Sequence, residues 1–150
     1  MAIRNIVQIG DEVLRKRCFE VTDFGKKTHE LLDDMKDTLI YAQGAGLAAP
    51  QVGVLRRMFI VMAEGKYYEC INPEIIEEKG SQTDYEGCLS VKGKSGTVTR
   101  PMRITCRAFD RYGKPFTVKV SGFTARAFCH ENDHLNGVLY IDKANEMMEE

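Results

Sequence analysis

Tryptophan is absent from this chain of 150 residues, and proline occurs only four times. With no repeat and no low-complexity tract, collagen-like, proline-rich and solenoid architectures are excluded. No apolar run approaches the roughly 20 residues of a membrane-spanning helix. The opening MAIRNIVQIGDEVLRK lacks the basic-then-apolar layout of a secretory signal, so a cytoplasmic protein without membrane attachment is expected. Neither sign of charge is in excess: 21 Lys and Arg against 22 Asp and Glu argue against direct nucleic-acid binding and against polybasic membrane contact. CxxC pairs are also missing. The five cysteines, Cys18, Cys70, Cys88, Cys106 and Cys129, form an odd set, which argues against a disulfide framework and against a zinc ribbon. They should be reduced and, for the most part, small buried apolar residues.

What remains is an ordinary globular composition, 43% hydrophobic and 29% charged, sufficient for one domain over residues 1–150. From Thr22 to Gln43, Leu31, Leu32, Met35, Leu39 and Ile40 recur at helical spacing, with Thr22 or Asp23 as cap and Gly44 as stop. GAGLAAPQVG is too rich in glycine to be regular and leads into the short apolar strand RRMFIVM. YYECINPEII reads as extended, and VTRPMRITCRAFD with PFTVKV reads as a hairpin turned at Gly113. A second helix opens at Ser121 or Gly122, runs through FTARAFCHENDHL and ends at Asn136 and Gly137; VLYID reads as a last strand, and residues 143–150 as a polar, frayed tail. The fold class is α+β: mostly antiparallel strands packed around a central helix, with a long N-terminal helix.

The strongest local signal is His130-Glu131-Asn132-Asp133-His134. On a helix, residues four apart share a face, so both imidazoles reach one ion while Glu131 sits beside it. Such an ion acidifies water, and a neighbouring carboxylate can carry the proton. A plain surface helix would also tolerate two histidines, but apolar stripes on either side (Phe123 and Ala127, Phe128 and Leu135) imply burial, where the pair needs polar partners or a metal. A catalytic site wants a third ligand. His29 falls on the polar side of the first helix and is expected to be solvated, and Asp142 and the terminal glutamates are weak candidates, so a cysteine or carboxylate from upstream is required. Cys88, in Glu86-Gly87-Cys88-Leu89-Ser90, is a thiolate candidate. Gly44 to Gln51 lacks the ending of a phosphate loop; its small residues permit close backbone approach, and Gln51 offers an amide donor.

Taken in order, GAGLAAPQ at 44–51, EGCLS at 86–90 and HENDH at 130–134 resemble the three motifs of the peptide deformylase family. IGDEVLR, VTRP and LNGVLYID extend the likeness over nearly the whole chain. The resemblance implies Cys88, His130 and His134 as metal ligands with water in the fourth place, and Glu131 as acid/base. It implies Gln51 and the Leu89 N–H as donors to the formyl oxygen. The implied reaction removes formyl from the N-terminal methionine of new polypeptides. The ion would be Fe2+, with Zn2+ or Ni2+ as substitutes. Ala45, Gly46, Glu86, Phe123, Arg126 and Ala127 are implied to line the substrate site. A monomer meeting nascent peptides, with transient ribosome contact, is the implied setting. The chain departs from the family pattern at Ala45, Lys92 and Asn132; Lys92 stands where a proline often follows EGCLS.

Overall fold

The computed structural model describes residues 2–149. Helix α1 spans Lys26–Ala42 and helix α2 spans Gly122–His134. Strands β1 (Gly46–Ala48), β2 (Met58–Ala63), β3 (Lys66–Lys79), β6 (Arg103–Phe109) and β7 (Pro115–Ser121) form an antiparallel sheet in the order β1-β2-β3-β6-β7. Strands β4 (Gln82–Cys88), β5 (Val91–Arg100) and β8 (Glu146–Glu149) form a second, in the order β4-β5-β8. The α+β expectation holds.

Side chains alternate across a strand, and β2 uses both faces. Met58 and Ile60 pack with Leu31, Leu32, Met35 and Leu39 of α1, whereas Phe59 and Val61 pack with Ala125, Phe128 and Leu135 on the α2 side. Helices thus cover both faces of the strand, which explains why MFIVM is an unbroken apolar run. Phe128 meets Phe59 and Tyr68 edge-on, with ring centroids 5.5 and 5.1 Å apart. The smaller sheet has its own core of Val91, Val98 and Tyr140.

Helix α1 begins four residues later than the periodicity predicts, because Asp23 is occupied in the preceding turn: its carboxylate accepts from Gly25 N at 2.8 Å and its carbonyl from Thr28 Oγ1 at 2.6 Å. It ends at Gln43, whose φ of 57° provides the left-handed cap expected of Gly44. His29 is half-buried, its Nε2 2.7 Å from the Arg111 carbonyl, which corrects the expectation of a solvated ring.

Two further expectations fail at the C-terminal end. VLYID is not a strand: Tyr140–Asp142 form a 3-10 turn, with Asp142 accepting from Leu139 N at 3.0 Å and Tyr140 buried in the small core. The supposed frayed tail contributes β8, whose Met147 lies opposite Gly96. A Cβ on Gly96 would approach Met147 Sδ to 2.6 Å, so β8 seats there because side-chain atoms are missing opposite it. Glu150 lies outside the described residues.

Gly137, just past α2, has φ 75° and a virtual Cβ 2.5 Å from the Arg15 carbonyl oxygen. Gly137→Ala is therefore expected to destabilise the protein by about 2 kcal/mol or more, read from the urea midpoint, since both backbone strain and a backbone clash must be relieved.

Candidate active site

Three segments meet between the sheets. Helix α2 has Leu135 as its C-cap and Gly137, at φ 75°, just beyond, and its last turns carry His130, Glu131 and His134, all buried. Cys88 ends β4, immediately before the two-residue turn Leu89-Ser90 that returns into β5. Gln51 lies in a 3-10 turn behind β1, its Oε1 accepting from Ala48 N at 2.9 Å and its Nε2 directed at Ser90 Oγ, 3.1 Å away, and Cys88 Sγ, 3.6 Å away. Ser90, which the sequence reading passed over, thus fixes the Gln51 amide.

Cys88 Sγ and one ring nitrogen each from His130 and His134 lie within 4.8 Å of one another, the set of three with this property among the described residues. The distance from Cys88 Sγ to His134 Nε2 is 3.4 Å. Bond lengths of about 2.3 Å to sulfur and 2.0 Å to nitrogen in a tetrahedral site place those two atoms about 3.5 Å apart, so the Cys88–His134 spacing matches that of two ligands on one divalent ion. One further observation agrees: Glu131 Oε1 is buried with no hydrogen-bond partner. A cation in the neighbouring ligand set would give that oxygen a counter-charge.

Glu86 organises the other side of His130. Its Oε1 lies 2.8 Å from His130 Nδ1, and it accepts from Arg100 Nε at 2.8 Å, Arg100 Nη2 at 2.9 Å and Arg126 Nη1 at 2.6 Å. Arg100 continues to Asp133 at 2.7 Å, and Asp133 to Lys143 at 3.0 Å. Burial alone would raise the Glu86 pKa, but hydrogen bonds from Arg100 and His130 hold it well below the carboxylate range. A carboxylate only accepts, so His130 Nδ1 carries a proton, and a bound ion would take the lone pair of Nε2 in place of a second proton. His130 also stacks on Tyr140, with centroids 5.9 Å apart.

Charge around the helix is uneven. Burial works against a protonated His130, but Glu131, Cys88 and Glu86 outweigh it and hold its pKa well above the usual imidazole value. Burial and the charge of His130 push that of His134 well below. Glu131 is pushed up to about 7, chiefly by burial, with His130 opposing and Glu86 reinforcing the rise. A bound cation would pull it back down.

A cleft of about 340 Å³ opens over these groups. Every residue assigned to the substrate site from the sequence lines it: Ala45, Gly46, Glu86, Phe123, Arg126 and Ala127, together with Gln51, Cys88, Leu89, His130 and Glu131. Of these, Glu86 and Arg126 spend their polar ends on each other, whereas Phe123 is 54% exposed. His134 lies below the lining. Gly46 belongs to β1, the edge strand of the larger sheet, and a Cβ there would fall 2.6 Å from Glu131 Oε2. Asn132 faces a separate polar cleft on the far side of α2. Arg100 and Asp133 lie inside the VTRP and HENDH segments, but nothing in the sequence assigned them a role: the pairing of Arg100 with Glu86 and with Asp133 appears only in the folded chain.

The family model for polypeptide deformylase matches residues 3–150. The chain belongs to the peptide deformylase family. A peptide deformylase of Lachnoclostridium phytofermentans is 50% identical over 148 residues, covering 97% of this chain and 91% of that protein. One from Halothermothrix orenii is 49% identical, covering 100% and 99%. The crystal structure of the Thermotoga maritima peptide deformylase superposes with a TM-score of 0.94 at 37% identity, covering 97% of this chain and 99% of that one. A Synechococcus elongatus peptide deformylase solved in complex with actinonin superposes at 0.92 with 33% identity, covering 95% and 79%. The deformylase fold is therefore the frame in which the Cys88, His130 and His134 cluster stands. No helix among the described residues is long and apolar enough to cross a membrane.

Proposed function

We propose that this chain, acting as one catalytic domain, removes the formyl group from N-terminal formyl-methionine of newly made polypeptides. Water adds across the formyl amide, the C–N bond breaks, and formate and a free amine leave. The observation that carries this reading is Glu131: its Oε1 is buried and unpartnered, in a residue lining the same cleft as Cys88, His130 and the Gln51 amide.

Cys88, His130 and His134 would hold the ion, with Fe2+ favoured by the resemblance and Zn2+ or Ni2+ compatible with the donors. When bound, it supplies Lewis acidity and lowers the pKa of water. Glu131 takes the proton of the attacking water and delivers it to the departing nitrogen. Gln51 Nε2 and the Leu89 N–H stabilise charge on the formyl oxygen. Glu86 holds the His130 ring. Edge strand β1 offers unpaired backbone groups beside Gly46 for an extended peptide, and Phe123 and Ala127 offer apolar surface to the methionine side chain. The same reading has a monomer meeting nascent chains during transient ribosome contact.

The test is formate release from formyl-Met-Ala-Ser by anaerobically prepared protein, with metal measured on the same sample; anaerobic handling protects Cys88 and ferrous iron. Cleavage of internal peptide bonds without formate would overturn the reading in favour of an ordinary metallopeptidase. A second outcome is expected of Gly46→Ala. Its methyl group would sit 2.8 Å from Glu131 Cγ and 2.9 Å from Cδ, so the carboxyl must move. A displacement approaching 1 Å costs roughly 100-fold in kcat, which steady-state kinetics should record with metal content unchanged.

A further inference from the structure

The charges lining the cleft are unequal in availability. Glu86 and Arg126 are buried and paired, and Glu131 is buried beside the ligand set. Lys92 and Lys94 are exposed, and neither forms an ion pair among the described residues. Both stand where β5 leaves its ladder with β4: the pairing steps from Glu86 with Gly96 to Cys88 with Val91, so residues 92–95 bulge over Gly87 at the rim. Gly93, at φ 75°, makes that excursion possible. Glu149 lies across from Lys94 in the ladder with β8 and offsets part of its charge; among the described residues Lys92 has no such partner opposite. The exposed ring of Tyr85 completes this side of the rim.

We propose that Lys92 and Lys94 set a preference for substrates carrying a carboxylate within the two or three residues after the formyl-methionine. This rests on the deformylase reading above. With the methionine side chain against Phe123 and Ala127, as in that reading, the following residues leave the cleft past this rim. A carboxylate there gains from two solvated ammonium groups and an ammonium is repelled by them. Each interaction is exposed and therefore modest, and screened by salt. Selectivity arises as much from disfavouring the basic substrate as from favouring the acidic one.

The experiment compares kcat/KM for the C-terminally amidated peptides formyl-Met-Asp-Ala, formyl-Met-Ala-Ala and formyl-Met-Lys-Ala, at low and high ionic strength. The expected order is Asp above Ala above Lys, with Asp over Lys by about 3- to 10-fold at low salt and the spread collapsing in high salt. Formyl-Met-Ala as acid and as amide separates a terminal carboxylate from a side-chain one. In Lys92→Glu/Lys94→Glu the order should invert; the ratio between peptides is the readout, so any general loss of activity cancels. Lys92→Gln and Lys94→Gln, taken singly, should each reduce the ratio, Lys92→Gln more strongly. Normal turnover of formyl-Met-Ala-Ala with no discrimination between Asp and Lys overturns the preference and leaves deformylation standing. No formate from any of the peptides overturns both.

Discussion

Glu131→Ala is expected to lower kcat on a formyl-Met peptide by about 100- to 10,000-fold while the protein keeps its metal, because a positioned acid/base group contributes on that scale. Neither carboxylate oxygen of Glu131 is needed by the ligand set, which consists of Cys88, His130 and His134. The measurement pairs single-turnover formate release with metal content of the same preparation, and activity retained at full metal occupancy would sink the role assigned to Glu131. Stability should move the other way. A carboxyl pushed up to about 7 by burial is one the fold does not favour in its charged form. With the folded pKa above the unfolded value of about 4.3, the native state holds an extra proton in between, so the chelated protein loses stability as pH rises from about 4 to 7. Glu131→Gln removes that slope. Urea titrations of chelated wild type and Glu131→Gln across this range should converge at low pH and separate toward neutrality, with the variant the more stable.

How much of the site was legible in sequence follows from the chain separation of its parts. His130, Glu131 and His134 sit within one helical turn, so their convergence follows from α-helical geometry alone. Cys88 and Gln51 join them across 46 and 37 residues of chain, through contacts to His134 and Cys88. Only their motif context connected them beforehand. Glu86 stood in the EGCLS motif, but its pairing had no local signal: its partners lie 14, 40 and 44 positions away, and nothing in VTRP marks Arg100 as buried. Elements followed the same division. Helix α1 and the β6–β7 hairpin were written in short-range periodicity and in Gly113. The VLYID segment was misread because Val, Leu, Tyr and Ile suit a strand, yet no ladder edge was offered to them and Tyr140 found the small core instead. β8 was missed for the converse reason: a polar EMME becomes a strand only because β5 presents an open edge at Gly96.

The second large effect concerns that buried cluster. Glu86→Ala leaves Arg100 and Arg126 without their shared carboxylate in surroundings where each is nearly inaccessible, and breaking such a pair costs about 3–5 kcal/mol. It also frees the His130 ring, and loss of an outer partner of a histidine ligand lowers metal affinity by about 10- to 100-fold. Glu86→Gln separates the two consequences. Its Oε1 can still accept from His130 Nδ1 at the observed 2.8 Å, while the amide no longer neutralises two guanidinium groups. The expected pattern is a large drop in urea midpoint for both variants, but a metal affinity close to wild type for Gln and clearly weakened for Ala, measured by chelator competition. Equal affinities in all three proteins would show that the ring is held by packing against Tyr140 alone. The pH dependence has a definite sign: with its folded pKa depressed far below the unfolded value, Glu86 contributes its stability above about pH 4.3 and loses it only as pH falls below that. Between pH 5 and 8, roughly the range in which an ordinary imidazole titrates, this anchor stays charged and keeps accepting from His130 Nδ1.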